Sequence, residues 1–369
     1  MTAEQKINAE NIIIGGGLSG LLIAKGLKDA GQDFLILEAS DRLGGSFFTG
    51  GLRLLPVSEL TPMAVRFFNQ ISGQNYSAEI NSDVVTFENK EILPFVGFGE
   101  FAPEYYENLF PFTKGYAKDV LGFENWVRQI SQELSEKTLF NSRVIKAAEL
   151  AGHVDFLELS SKKIIRGNRY FYCADPSEFK LIVPQTKLAH KNVVKFLKGP
   201  FWTQISVDLV HKQIPNNLPL ETLFVLNSSN KNEAVSAMGL FYKSNDTIKS
   251  QWFTLVDDQF SEDTEQLGKS VQNFRKLLKK HIPGLFESAE HEKLILTPAL
   301  FKSSSWNLNG NGTLQDFNNF WIGSGIANEQ PGLLGTLLQA QFILAAVQNT
   351  ASADQQPLEP QILDQTENL

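Results

Sequence analysis

The stretch from Asn11 to Gly45 constrains this chain more than any other. Ile12, Ile13 and Ile14 form a continuous apolar run, the pattern of a strand buried on both faces of a parallel sheet. Gly15, Gly17 and Gly20 follow as G-x-G-x-x-G. In that pattern the first glycine permits a tight turn, the second lets the backbone approach a pyrophosphate, and the third lets a helix pack close to the strand. The spacing predicts a helix from near Leu18, whose free N–H groups and dipole point at the phosphates. Gly31 stands where a helix-closing glycine belongs. A second strand, Phe34 to Leu37, ends at Glu38, eighteen residues after Gly20. A carboxylate there can accept both hydroxyls of an adenosine ribose, and it repels a 2′-phosphate. Strand, glycine turn, helix, strand and acid in this order predict an α/β chain with a Rossmann-like dinucleotide-binding domain.

A chain of 369 residues exceeds what one core usually takes, so a second domain is expected. With 42% hydrophobic and 20% charged residues the composition is that of an ordinary globular protein. The net charge of −8 argues against a general nucleic-acid binder and against a surface built for anionic lipid. The first ten residues are polar, and the first apolar run is too short and glycine-broken for a signal peptide. The longest later apolar stretch, Phe342 to Val347, is too short to cross a bilayer. These features predict a cytoplasmic protein without a transmembrane segment, with peripheral membrane contact left open. Cys173 is the one cysteine, which rules out an intrachain disulfide; the strand around it reads as buried, which makes the thiol inert. The five histidines lack metal-ligand spacing, so no metal site is expected.

Asp41-Arg42-Leu43-Gly44-Gly45 follows Glu38 almost directly. Two glycines there give a second backbone approach to a dinucleotide, and Arg42 can supply charge to phosphate or ribose. The combined pattern is G-x-G-x-x-G and then E-A-x-x-R-x-G-G, carried by Glu38, Ala39, Arg42, Gly44 and Gly45. It resembles the flavin amine oxidase superfamily, which includes protoporphyrinogen oxidases and phytoene-type desaturases. The resemblance implies FAD rather than a diffusible nicotinamide cofactor. It departs from the family at Ser40 and Ser46, where the family often has arginine. It departs again at Leu52-Arg53-Leu54-Leu55-Pro56, where the family often has an Asp-x-Gly step.

Residues 57 to 115 read as helix and loop, with a helix over 63–70 begun by Thr61-Pro62. Their aromatics are Phe67, Phe68, Phe87, Phe95, Phe98, Phe101, Tyr105, Tyr106, Phe110 and Phe112. They serve either core and lid packing or the lining of a pocket for an apolar or planar substrate. Helical spacing recurs over 123–134. A meander over 145–151, 154–159 and 164–165 follows, then a separate buried strand at 170–174. By the resemblance, Val144 pairs its backbone with adenine. Residues 195 to 300 read as a second lobe. Its predicted strands are 202–210, 222–226, 237–242 and 251–256, with a helix through Leu267, Val271, Phe274, Leu277 and Leu278 stopped by Pro283-Gly284. Trp202, Trp252, Trp306, Lys302 and Lys243 are candidates for a pocket or, alternatively, for core and surface.

Phe320-Trp321-Ile322-Gly323-Ser324-Gly325 reads as a strand ending in glycines, and Gly332 and Gly335 open a helical run to about Val347. In the resembled family this segment binds FAD, and the helix N-terminus faces the flavin; an acid usually stands where this chain has Ser324. The implied cofactor set is Gly15, Gly17, Leu18, Ser19, Gly20, Glu38, Ala39, Arg42, Gly44, Gly45, Ser46, Val144, Gly323, Ser324, Gly332, Leu333 and Leu334. The implied organisation is a discontinuous FAD-binding domain (1–55, 116–190, 305–350), an α+β substrate lobe (56–115, 191–304) and a polar tail (351–369). The implied activity is hydride transfer from a small organic substrate to non-covalently bound FAD. The alternatives are a redox-neutral flavoenzyme, or a flavin-binding protein without turnover that serves a partner. The cofactor carries the chemistry in such enzymes, so no catalytic residue is named.

Overall fold

The structure is a computed structural model and describes residues 7–48, 55–76, 80–81, 83–88, 91–98, 114–117, 120–174, 178–179, 182, 201–228, 235–244, 246–257, 263–301, 308–314, 317–328, 330 and 332–353. In chain order the first elements are β1 (Ile7–Ile14), α1 (Leu18–Asp29), β2 (Phe34–Leu37), β3 (Leu55–Pro56), α2 (Thr61–Ser72), β4 (Ile80–Asn81), β5 (Val84–Glu88), β6 (Glu91–Pro94), β7 (Tyr116–Ala117) and α3 (Val120–Glu133). Next come β8 (Thr138–Leu139), β9 (Val144–Leu150), β10 (His153–Leu159) and β11 (Ile164–Tyr172). The chain continues with β12 (Phe201–His211), β13 (Leu223–Asn227), β14 (Ser236–Ser244), β15 (Thr247–Asp257), α4 (Thr264–His281), β16 (Ala289–Phe301), β17 (Phe320–Ile322) and α5 (Gly332–Ala353).

The isoleucine run sits at the middle of the first sheet, whose order is β8-β2-β1-β11-β10-β9 with β17 also on β11. β1 pairs in parallel with β2 and β11, and β17 pairs in parallel with the end of β11 at Tyr170–Tyr172. Alternate residues enter two cores. Ile13, Ile36, Phe171 and Trp321 join one, together with side chains of α1, α2, α3 and α5. Ile12, Ile14, Leu37, Tyr170, Tyr172 and Ile322 join the other. Burial on both faces is why the strand reads as unbroken apolar sequence rather than as an alternation.

α1 ends in a Schellman arrangement. The Gly31 N–H donates to Lys28 O, the Gln32 N–H donates to Leu27 O, and Gly31 has φ +68°. α1 and α5 lie close together, because a Cβ on Gly26 would overlap Leu344.

Three expectations need correction. Residues 57–115 are not helix and loop alone: β5 and β6 form an antiparallel pair, and β5 joins the second sheet beside β13. The meander's last strand and the buried strand at 170–174 are one strand, β11, which runs through Gly167 and stops at Tyr172. A Cβ at Gly167 would stand 2.5 Å from Ile12 Cγ1, so glycine lets β11 pass close to β1. The tail does not begin at 351, since α5 runs to Ala353; residues 354–369 lie outside the described residues.

The second sheet has the order β16-β12-β15-β14-β13-β5-β6. Phe274, Leu277 and Leu278 of α4 cover one face together with Ile205, Phe241 and Trp252. The other face carries Trp202, Met238, Phe253 and Leu255, and Tyr116 of β7 packs against it. β7 pairs with β3, whose Leu55 lies in the first core, so the small sheet β3-β7-β4 joins the two larger ones. Phe68 stacks on Phe123 at 3.9 Å between centroids and meets Tyr76 and Trp126 edge-on. Phe67, Phe68, Phe87 and Phe98 are therefore core residues. Phe101, Tyr105, Tyr106, Phe110 and Phe112 lie outside the described residues. Among the described residues no helix is long and apolar enough to cross a membrane.

Candidate functional site

The glycine turn after β1 is built by packing as much as by backbone freedom. Gly15 has φ +99°, and a Cβ there would stand 2.9 Å from Ala174 N. A Cβ on Gly20 would overlap the Gly15 carbonyl oxygen, so only glycine lets α1 start so close to β1. Gly17 differs from both: nothing stands within 4 Å of its Cβ position, and it caps α1 without a side-chain hydrogen bond. Leu18 and Ser19 follow as buried residues of the first turn, where helical N–H groups lack intrahelical partners.

Glu38 lies at the end of β2. The Gly16 N–H donates to its Oε2 (2.7 Å); the Ser40 N–H and hydroxyl both reach Oε1 (2.8 Å each). The loop from β8 to β9 runs alongside. Glu38 N–H donates to Leu139 O, Asn141 N–H to Ser40 O, and Ser142 N–H to Glu38 O. Val144 opens β9 two residues later, with its side chain buried.

Gly44 and Gly45 fold against the first turn. The Gly44 N–H donates to Gly16 O (2.8 Å), both residues have positive φ, and a Cβ on Gly45 would stand 3.1 Å from Gly17 Cα. Ala39, Arg42 and Ser46 are exposed. The Arg128 guanidinium of α3 lies 4.7 Å from the Phe48 ring centroid, just beyond this second turn.

The C-terminal segment reaches the same sheet end. Cys173 N–H donates to Ile14 O, and the N–H groups of Gly323 and Ser324 donate to Tyr172 O at 2.8 and 3.0 Å. A Cβ on Gly323 would stand 2.5 Å from Cys173 Sγ. Burial pushes the Cys173 thiol well above the ordinary range, in keeping with an inert packing residue. Gly332 has φ +56° and open space at its Cβ position. Gly335 serves packing, because a Cβ there would overlap Gln330 O and lie 2.9 Å from Gly325 O. Leu333 and Leu334 turn their side chains into the core shared with Leu18 and Phe47.

The structure thus brings Gly15, Gly17, Gly20, Glu38, Gly44, Gly45 and Gly323 to one end of the first sheet. Sequence reasoning passed over Gly16 and Leu43. A Cβ on Gly16 would overlap Leu43 and approach Glu38 Oε2 to 3.0 Å, so only glycine brings that N–H onto the acid. The third glycine in Gly15-Gly16-Gly17 was the available signal. Of the pocket candidates, Trp202 and Trp252 are buried in the two cores of the second sheet, and Trp252 Nε1–H donates to Ser250 Oγ. Lys243 makes an exposed ion pair with Asp246, and Lys302 and Trp306 lie outside the described residues.

Residues 13–67 match the family of NAD(P)-binding Rossmann-like domains. Over 162 residues the chain is 26% identical to flavin-containing amine oxidase A of Canis lupus familiaris, which covers 38% of this chain and 30% of that protein. The chain thus aligns with under a third of the length of that curated relative. Among solved structures, an oxidoreductase from Methanosarcina mazei superposes with a TM-score of 0.63 at 13% identity, covering 91% of this chain and all of the other. A putrescine oxidase bound to putrescine gives 0.62 at 12% identity, with 94% and 100% covered. At such identities the likeness is one of fold.

Proposed function

We propose that this chain is a FAD-dependent oxidoreductase of the flavin amine oxidase-like superfamily acting on a small organic substrate, a reading that its fold supports. The observation that carries this reading is the open direction at Gly17. It is bounded by the start of α1, by the Gly44–Gly45 turn packed on Gly17, and by Glu38 fixed through Gly16. Backbone fills the space beside Gly15 and Gly20, and the Leu43 and Glu38 side chains fill it beside Gly16, whereas at Gly17 a ligand backbone meets no obstruction, so a dinucleotide fits the residues present.

In this reading Gly15, Gly17, Leu18, Ser19 and Gly20 hold the pyrophosphate through the first turn of α1. Glu38 takes the adenosine ribose, Ala39 and Arg42 border it, and Val144 meets the adenine. Gly44, Gly45 and Ser46 pass along the middle of the cofactor. Gly323 and Ser324, whose N–H groups are engaged by Tyr172 O, border the flavin end, and Gly332, Leu333 and Leu334 serve it through the backbone N–H groups that open α5. Bound there, FAD supplies a hydride acceptor. The chain's own share is to bind and orient, and the start of α5 places its positive dipole end where charge builds up. We assign residues 1–55, 116–190 and 305–350 to the cofactor domain, and 56–115 and 191–304 to the substrate lobe. An apolar or planar substrate is part of this proposal.

The test is anaerobic mixing of the purified yellow protein with a panel of amines, amino acids and saturated cyclic metabolites. At least one should bleach the flavin's long-wavelength band. A flavin that dithionite reduces but no member of the panel does would contradict the oxidoreductase reading.

A further inference from the structure

Glu38 has fewer acceptor directions open than its position at the end of β2 suggests. A carboxylate offers about four lone-pair directions. Gly16 N–H uses one on Oε2, and Ser40 uses two on Oε1, one through its N–H and one through its hydroxyl. A ribose diol needs two. The Ser40 hydroxyl has a second acceptor at the same distance, the Arg42 carbonyl oxygen, also 2.8 Å away. It carries one proton, so it serves Oε1 or Arg42 O at any moment. The Ser40 backbone is held independently, because Asn141 N–H donates to Ser40 O and Ser142 N–H donates to Glu38 O.

We propose that Ser40 is a positioning residue for ribose recognition, its hydroxyl holding Glu38 in the ligand-free protein and turning to the Arg42 carbonyl when a ribose diol arrives. This rests on the FAD reading above. The turn frees one direction on Oε1 and leaves one on Oε2, so each carboxylate oxygen accepts one ribose hydroxyl. No hydrogen bond is lost in the exchange. The carboxylate stays in one orientation throughout, since Gly16 N–H and Ser40 N–H never let go. The ligand class is an adenine nucleotide with an intact 2′,3′-diol.

The test is calorimetric titration of flavin-free full-length protein with ADP and with 2′-deoxy-ADP, comparing parent, Ser40→Ala and Ser40→Thr. Parent protein should prefer ADP by about tenfold or more, the scale of one hydrogen bond to a charged acceptor. Ser40→Ala keeps the backbone N–H that orients the carboxylate but removes the competing hydroxyl, so it should raise that preference by about threefold or more, mainly by strengthening ADP, and Ser40→Thr should restore the parent value. Ser40 is exposed, so the alanine variant should fold. An equal change for both nucleotides in Ser40→Ala, or a preference that falls, would overturn the proposal. Failure of the parent protein to bind FAD or ADP at all would instead contradict the cofactor reading on which it rests.

Discussion

Glu38 and His211 show how much a single side chain depends on partners distant in sequence. Glu38 Oε2 is met by an N–H twenty-two residues earlier, so its orientation is a property of the turn and not of the strand that carries it. Glu38→Ala should weaken FAD binding by about 1–3 kcal/mol, the scale of a hydrogen bond to a charged group. Titration of flavin-free protein measures it, and an unchanged affinity would reduce Glu38 to a surface carboxylate. His211 is buried between two serines, with Nε2 2.7 Å from Ser250 Oγ and Nδ1 2.9 Å from Ser288 Oγ. Ser288 donates to Leu285 O, so it accepts from Nδ1–H; Ser250 accepts from Trp252 and so donates to Nε2. Burial lowers the imidazole pKa from 6.5 to about 4. The folded state therefore resists a proton that the unfolded chain accepts, and stability is lost as pH falls from 6.5 towards 4. Urea unfolding at about pH 7 and about pH 4.5 should differ by on the order of 2 kcal/mol more in the parent than in His211→Gln. An equal acid sensitivity would show that other groups govern it. Nothing in the spacing of the five histidines reveals this one, because its partners lie 39 and 77 residues away.

At the scale of elements, the legible parts were those whose pattern has one physical cause. The isoleucine run, the glycine turn and α1 were readable because each residue type there answers a steric demand. Gly20 is the sharpest case. Gly20→Ala drives a methyl into the Gly15 carbonyl, forcing α1 away from β1. Overpacking of this kind costs about 1–3 kcal/mol. The variant should lose that much stability in denaturant titration and retain little flavin through gel filtration. Parent-like stability would mean that α1 can shift freely. Two of the strands that sequence reading misses, β16 and β6, lie at sheet edges. β16 begins Ala289-Glu290-His291-Glu292-Lys293, which is exposed or partly exposed and shows no apolar alternation. β6 is exposed along its whole length for the same reason. β11 read as two strands because Arg166 to Arg169 interrupts its apolar ends. That polar middle falls between its antiparallel pairing with β10 and its parallel pairing with β17.

At the scale of the whole molecule, two segments far apart in the chain meet at one end of the first sheet. β17 and the start of α5 lie some three hundred residues after Gly15, yet Gly323 reaches Cys173, and Gly15 packs on Ala174. Their common place at the end of the first sheet was foreseen only through the resemblance; spacing alone carries no information across so many residues. The second sheet and its covering helix are legible in the sequence, but their chemistry is not, because the large aromatics there are, among the described residues, core. The central claim is that this sheet end holds FAD. The direct measurement is the absorption spectrum of the purified full-length protein, followed by chromatography of what heat denaturation releases. The account predicts a yellow protein that releases FAD intact, close to one per chain after reconstitution. A colourless protein that takes up NAD but not FAD would contradict it.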